Sequence, residues 1–497
     1  MKVHVLSLGC ARNLVDSEGL AGLLEQAGHR FTDRVDEAEC VVVNTCSFIR
    51  EAEEESISAI LDIADRKKKG KLRRLYVAGC LPQKRRNEKK DLLDLLPEVD
   101  GFLGPGDLPK LPGLIEEQEG AVISNREAVR DLVPKNKISR PNGLEMTKDN
   151  RFFLTSPVPT LLFDSATPKH RLTPKHYAYL KISEGCDHAC TFCSIPQFRG
   201  AHRSRTIEDL VEEAARLVSE GVVELNLIGQ DTSYYGADRY GAPSLPKLLE
   251  ELAKVKGVRW IRILYAHPAH VTDDLIHAIR DLQPVVKYVD IPLQHISDRL
   301  LSLMRRETDG ATLRRLIDRF RSEVPGMAIR TTFIAGFPGE TEQEVEELAG
   351  FLRQARFERV GIFLYSPEPK TPSEKMPDPL PEAVKQDRRD MLMSIQREIS
   401  EEMNQAWLGK EIEVLVDEEE RNPSPRPSPL KGERVKGEGE RVKGEGFLYL
   451  GRTYADAPEV DGQVFLNSSA PLHPGRMVRA RVTDTTEYDL VAEPVAG

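Results

Sequence analysis

No stretch of the 497-residue chain stays apolar for the roughly 18 residues that a membrane-spanning helix requires, so membrane spans are excluded. The start, Met1-Lys2-Val3-His4-Val5-Leu6-Ser7-Leu8, alternates apolar and polar residues and lacks the basic start and continuous apolar core of a signal peptide. A cytoplasmic protein is expected. Positive charge is in short supply: 70 Lys and Arg face 80 Asp and Glu, a formal net charge of −10, which argues against wholesale binding of a polyphosphate. Cysteine is scarce and odd in number, seven in all. In a reducing compartment that is a poor disulfide framework and a fair pool of metal ligands. What is present suits a globular protein, with 40% hydrophobic and 30% charged residues over a length that suggests about three domains.

The chain reads as α/β. Over residues 1–115, short apolar runs alternate with charged helical stretches, the pattern of a parallel α/β domain. Three of those runs end alike: Val3–Leu8 leads to Gly9-Cys10, Val41–Val43 to Asn44-Thr45-Cys46, and Leu75–Val77 to Ala78-Gly79-Cys80. Parallel sheets gather functional groups beyond the carboxyl ends of their strands, so these three cysteines can converge. Residues 116–174 are broken by Pro134, Pro141, Pro157, Pro159, Pro168 and Pro174 and read as a long linker. Over 175–408, strand candidates at 177–183, 223–229, 259–264, 287–293, 328–335 and 358–364 alternate with amphipathic helices, and six βα units fit a partial (β/α)6 barrel. A helical stretch near 381–407 closes it. Residues 409–497 read as a small β-barrel interrupted by a low-complexity insert at 421–446, where disorder is expected.

The strongest local signal is the CxxxCxxC run Cys186-Asp187-His188-Ala189-Cys190-Thr191-Phe192-Cys193, directly after the first barrel strand. Three thiolates within eight residues can wrap one soft metal centre, and an iron–sulfur cluster held by three cysteines leaves one iron open for a ligand. Zinc completed by His188 or a distant residue fits the same spacing. Weaker candidates follow other barrel strands: Gln230-Asp231, His267-Pro268, Gln294-His295 and Gly336-Phe337-Pro338-Gly339-Glu340, whose alternative role is turn chemistry. Cys40 begins an apolar strand and reads as a core residue.

The run resembles the signature of the radical S-adenosylmethionine enzymes. Ser7-Leu8-Gly9-Cys10, Asn13-Leu14-Val15-Asp16-Ser17-Glu18, Asn44-Thr45-Cys46, Ala78-Gly79-Cys80, Cys186 to Cys193, Ile195-Pro196 and Arg199-Gly200, in that order, resemble their methylthiotransferase family across three domains. The resemblance implies that Cys186, Cys190 and Cys193 hold one [4Fe–4S] cluster with S-adenosylmethionine on its open iron. It implies that Cys10, Cys46 and Cys80 hold a second [4Fe–4S] cluster, and that the C-terminal unit is an OB-like TRAM barrel. Phe192 would border the cofactor; Gln230, Gly336 and Gly339 are further candidate contacts.

Two branches of that family share the clusters and differ in substrate, an adenosine of transfer RNA in one and the β-carbon of an aspartate of ribosomal protein uS12 in the other. Outside the insert, residues 409–497 carry five basic against thirteen acidic side chains, a net −8, which would repel RNA phosphate and complement a basic protein. His176–Ser183 and Gly451–Gly462 also resemble the ribosomal-protein branch. The implied partners are uS12, free or in the small subunit, with an electron donor, a sulfur donor and at most peripheral RNA contact.

Overall fold

The computed structural model describes residues 1–118, 144–146, 151–420 and 447–495. The first body is a seven-stranded sheet. Its strands are β1 (Lys2–Ser7), β2 (Arg30–Phe31), β3 (Cys40–Thr45), β4 (Arg74–Gly79), β5 (Gly101–Leu103), β6 (Leu144–Met146) and β7 (Phe152–Leu154), in the order β2-β1-β3-β4-β5-β7-β6. All neighbours are parallel except the edge pair β6–β7. Val41, Val42 and Val43 are fully buried, as a central strand covered on both faces demands.

The linker expected over 116–174 is corrected in part, because β6 and β7 belong to this sheet. Phe152 and Phe153 point to opposite faces, where they stack on Tyr76 and Phe102 with ring centroids 5.9 and 5.6 Å away. Three apolar residues are too few to show a period, so only the tertiary pairing reveals them. Further on, the His170 amide donates to the Glu18 carbonyl and the Leu172 amide to the Glu18 carboxylate, tying this stretch to helix α1 (Ala11–Gln26). Residues 119–143 and the insert at 421–446 lie outside the described residues, and with the insert the disorder expected of it.

The central body has the six expected parallel strands: β8 (Tyr177–Lys181), then, beyond a short β9 (Ser183–Glu184) and β10 (Arg203–Ser204) pair, β11 (Glu224–Ile228), β12 (Trp260–Ile263), β13 (Val285–Asp290), β14 (Ala328–Ala335) and β15 (Arg359–Leu364). They run β15-β14-β13-β12-β11-β8 without closing. The strand period of two sorts β8 cleanly. Ala178, Leu180 and Ile182 join the core shared with the helix Ile207–Ser219, and that helix starts where the Thr206 hydroxyl accepts from the Asp209 amide. Tyr177, Tyr179 and Lys181 face the other way, toward the remaining two bodies.

The third body is a closed barrel, β16 (Glu411–Glu419), β17 (Phe447–Arg452), β18 (Val464–Ser468), β19 (Met477–Thr485) and β20 (Leu490–Pro494). β16 and β17 pair antiparallel, with Leu415 opposite Arg452 and Glu419 opposite Tyr449. Residues 453–461 press onto the starts of the central strands. Asp456 meets Arg359, Asp461 meets Arg330 and the Tyr288 hydroxyl, and the Tyr177 hydroxyl donates to Glu459. Arg452 lies between Glu224 and Asp417, 2.8 Å from each. Part of the barrel's acidic surplus is therefore paired within the molecule. Among the described residues no helix is long and apolar enough to cross a membrane.

Candidate cluster sites at facing strand ends

Cys10, Cys46 and Cys80 follow β1, β3 and β4, three adjacent strands, so their thiols share one end of the sheet. Gly9, at φ +88°, is where a Cβ would collide with Cys46, and glycine alone lets the first loop come this close. Asn13 holds the loops in place: its side-chain amide donates to the carbonyls of Leu8 (2.9 Å), Asn44 (3.3 Å) and Thr45 (3.0 Å). The Thr45 hydroxyl bonds the Ala78 carbonyl at 2.6 Å, and the Cys46 amide donates to Ser56. Burial, with Cys80 and Cys10 beside it, pushes the Cys46 thiol up to about 12. Burial opposes ionisation at Cys10 as well, but the guanidinium groups of Arg12 and Arg199 outweigh it and lower that thiol.

The second trio sits on the loop after β9. Gly185 has φ +85° and lies against the Ala201 carbonyl, and the Cys186 amide donates to Gly200 at 3.1 Å. The Cys193 amide returns to the Cys190 carbonyl, while Thr191 is bonded to Met304 and Leu303. Burial pushes both Cys186 and Cys193 up to about 12, and the neighbouring Cys190 adds to each shift. Arg306 donates to the Cys190 sulfur at 3.6 Å.

A buried ionic cluster joins the two trios. Arg199 donates to the Cys80 sulfur (3.3 Å), Asn13 (2.9 Å), Asp16 (2.6 Å) and Glu184 (3.3 Å). Lys181 pairs with Asp16 and, at 2.7 Å, with Glu184. Arg12 reaches the Gly229 carbonyl at 2.8 Å and lies over the Tyr265 ring. The donor chemistry fits iron–sulfur clusters: two sets of three thiols without a disulfide, each with a guanidinium N–H on one sulfur.

Family models match all three bodies: the uncharacterized protein family UPF0004 over residues 2–104, the radical SAM superfamily over 180–352 and the TRAM domain over 437–495. The chain is 43% identical over 495 residues to a ribosomal protein uS12 methylthiotransferase RimO of Anaeromyxobacter sp. (strain K), covering 100% of this chain and 93% of that protein. The chain belongs to the RimO family. It is likewise 43% identical to the RimO of Heliobacterium modesticaldum, at 100% and 95% coverage, and 41% identical to that of Geobacter sulfurreducens, at 100% and 99%. A radical S-adenosylmethionine methyltransferase structure from Kitasatospora setae shares the fold at TM-score 0.51 and 14% identity, over 75% of this chain and 76% of that one.

Within this RimO-family site, the other candidates from the sequence separate. Gln230 donates to Glu184 at 2.5 Å, beside the cysteine loop, and leaves its own carbonyl oxygen buried without a partner. Phe192 packs against the small core of Met304, Phe337 and Tyr365. Gly336 (φ +80°) presses on Lys385 and donates to Glu340, and Gly339 (φ +73°) is bonded to Asp378 and Arg299. His295 is fully buried 3.4 Å from Glu340. Cys40 is a core residue of β3. Sequence reasoning missed Lys181, Glu184, Arg12, Tyr265, Arg306 and His270. The one available signal was Lys181, a charge in an otherwise apolar strand.

Proposed function

We propose that this chain attaches a methylthio group to the β-carbon of an aspartate of ribosomal protein uS12. The observation that carries the reading is the convergence of two cysteine trios from different domains on one buried ionic cluster, in a chain related end to end to uS12 methylthiotransferases. Cys10, Cys46 and Cys80 would hold one [4Fe–4S] cluster and Cys186, Cys190 and Cys193 another. When bound, the clusters and S-adenosylmethionine supply one-electron cleavage of an unactivated C–H bond and the transferred sulfur and methyl. The chain's own residues orient and insulate. Arg199 and Arg306 each donate an N–H to one ligand sulfur, which stabilises its negative charge. Gln230, bonded to Glu184 just before the cysteine loop, and Phe192, within that loop, border the co-substrate. The buried Arg199–Asp16–Lys181–Glu184 cluster fixes the two trios relative to each other.

The reading requires an electron donor and a sulfur donor and places the enzyme in the cytoplasm with its ribosomal substrate. Exposed Asp484 and Glu493 on the C-terminal barrel complement a basic protein, with RNA at the periphery. The test is mass spectrometry of uS12 from cells with and without the gene, alongside nucleoside analysis of their transfer RNA. The expected result is a methylthio group on uS12 that disappears with the gene, while transfer-RNA adenosines stay unchanged. Loss of the modified adenosine instead would assign the chain to the transfer-RNA reaction.

A further inference from the structure

Next to the second cysteine trio, three imidazoles gather around one carboxylate. His188 belongs to the cysteine loop, Asp231 follows β11, and His267 and His270 follow β12. One ligand atom from each of the four residues falls within 4.8 Å of every other. The Asp231 carboxylate is divided between two jobs. One oxygen accepts from the Ser233 hydroxyl (2.6 Å) and the Tyr234 amide (3.1 Å), which fixes the group; the other faces His188 Nε2 and His270 Nδ1, each at 2.8 Å. His267 is 6% exposed, and its Nε2 is buried without any partner. Its ring stacks on His188 at 4.2 Å between centroids.

We propose that His188, Asp231, His267 and His270 form a site for a divalent transition-metal ion of nitrogen and oxygen preference, with zinc as its probe, separate from both cysteine trios. Three imidazoles and a carboxylate make a complete tetrahedral donor set for such an ion. The surroundings match what a metal histidine needs on its far side. His188 Nδ1 and His270 Nε2, the nitrogens turned away from Asp231, both face the Glu307 carboxylate, at 3.7 and 3.8 Å. A carboxylate behind the ring orients the imidazole and strengthens it as a ligand. The buried Nε2 of His267 gains a partner on binding. Its ring proton then resides on Nδ1, which gives up the 3.3 Å bond from the Ala269 amide. Loading also splays the stacked rings and draws the four atoms inward to bonds of about 2.0–2.1 Å. Because His188 lies between Cys186 and Cys190, the ion would clamp the cysteine loop to the ends of β11 and β12.

The test uses the full chain with its iron loaded, so that the six cysteines are occupied. The protein is passed over a chelating resin, given a small excess of zinc and freed of unbound metal, and bound zinc is counted and examined by X-ray absorption at the zinc edge. One zinc per chain with only nitrogen and oxygen neighbours is expected. Replacing both His267 and His270 with Ala should abolish it while iron content stays unchanged. Glu307→Gln, at a side chain that is 57% exposed, should weaken zinc binding about 10–100-fold. The proposal falls if the wild type keeps no zinc, if sulfur appears among the zinc neighbours, or if Glu307→Gln binds zinc as tightly as the wild type.

Discussion

Asn13 and Arg199 tie together residues that the chain holds up to 186 positions apart. Asn13 ties together the loops that carry Cys10 and Cys46, and Arg199 brings the central body's positive charge to Cys80. Each trio is nonetheless built from its own body's strand ends, so the two should load independently. Replacing Cys186, Cys190 and Cys193 with Ala is expected to leave about half of the iron, measured chemically after anaerobic loading. Zero iron, or no loss at all, would contradict two separate sites. The triple Ala variant at Cys10, Cys46 and Cys80 should still cleave S-adenosylmethionine to deoxyadenosine under reduction while losing methylthiolation. The placement of the six cysteines beyond strand ends was legible because a CxxxCxxC spacing and a strand followed by cysteine are local patterns. Lys181, Asp16 and Glu184 were not, since their meaning lies in a contact between bodies, and Asp16 and Lys181 are 165 residues apart.

At the scale of elements, apolar runs placed the six central strands within a few residues of their observed ends, because a strand covered by helices is apolar on its outer face whatever surrounds it. The three-residue strands β6 and β7 escaped notice, being too short to carry a period. The contact between the C-terminal barrel and the central strands was equally hidden, although it rests on residues plain in the sequence. Arg452 is its pivot, held between Glu224 and Asp417. Arg452→Met should leave buried Glu224 with Arg262 alone and half-buried Asp417 with His176 alone, at a cost of about 1–3 kcal/mol, and release the barrel first. Hydrogen exchange would show β16 and β17 losing protection while β11 to β13 keep theirs; uniform loss would refute a local hinge. Burial opposes ionisation of Glu224 and Asp417, but Arg452, with Arg262 beside the first and His176 beside the second, outweighs it and leaves both depressed. A depressed carboxylate contributes stability that is present above its unfolded value of about 4 and lost as pH falls through the folded one. Acid should therefore loosen the same contact in the wild type.

For the whole molecule, the insert at 421–446 tests whether the barrel depends on anything between β16 and β17. The two strands are already joined where they end, since the Glu420 amide donates to Leu448 at 2.9 Å. Lengthening a loop costs only about 0.6 kcal/mol per doubling. Replacing 421–446 with a short Asn-Gly turn should leave the melting temperature unchanged, and a collapsed barrel would show the segment to be structural. Charge also reads differently at this scale. The −8 of the C-terminal unit counts Asp456 and Asp461, which are matched by Arg359 and Arg330 of the central body, so salt should weaken association with a basic partner less than the sequence charge suggests. Asp16, meanwhile, sits in one body and its two cationic partners in the next, all nearly out of reach of water. Pulling the bodies apart would leave charges of both signs without counterions. The gap between the trios is thus a fixed length, a caliper locked at one setting, and any hand-over across it keeps its pace in a viscous solvent that slows every step requiring domains to swing.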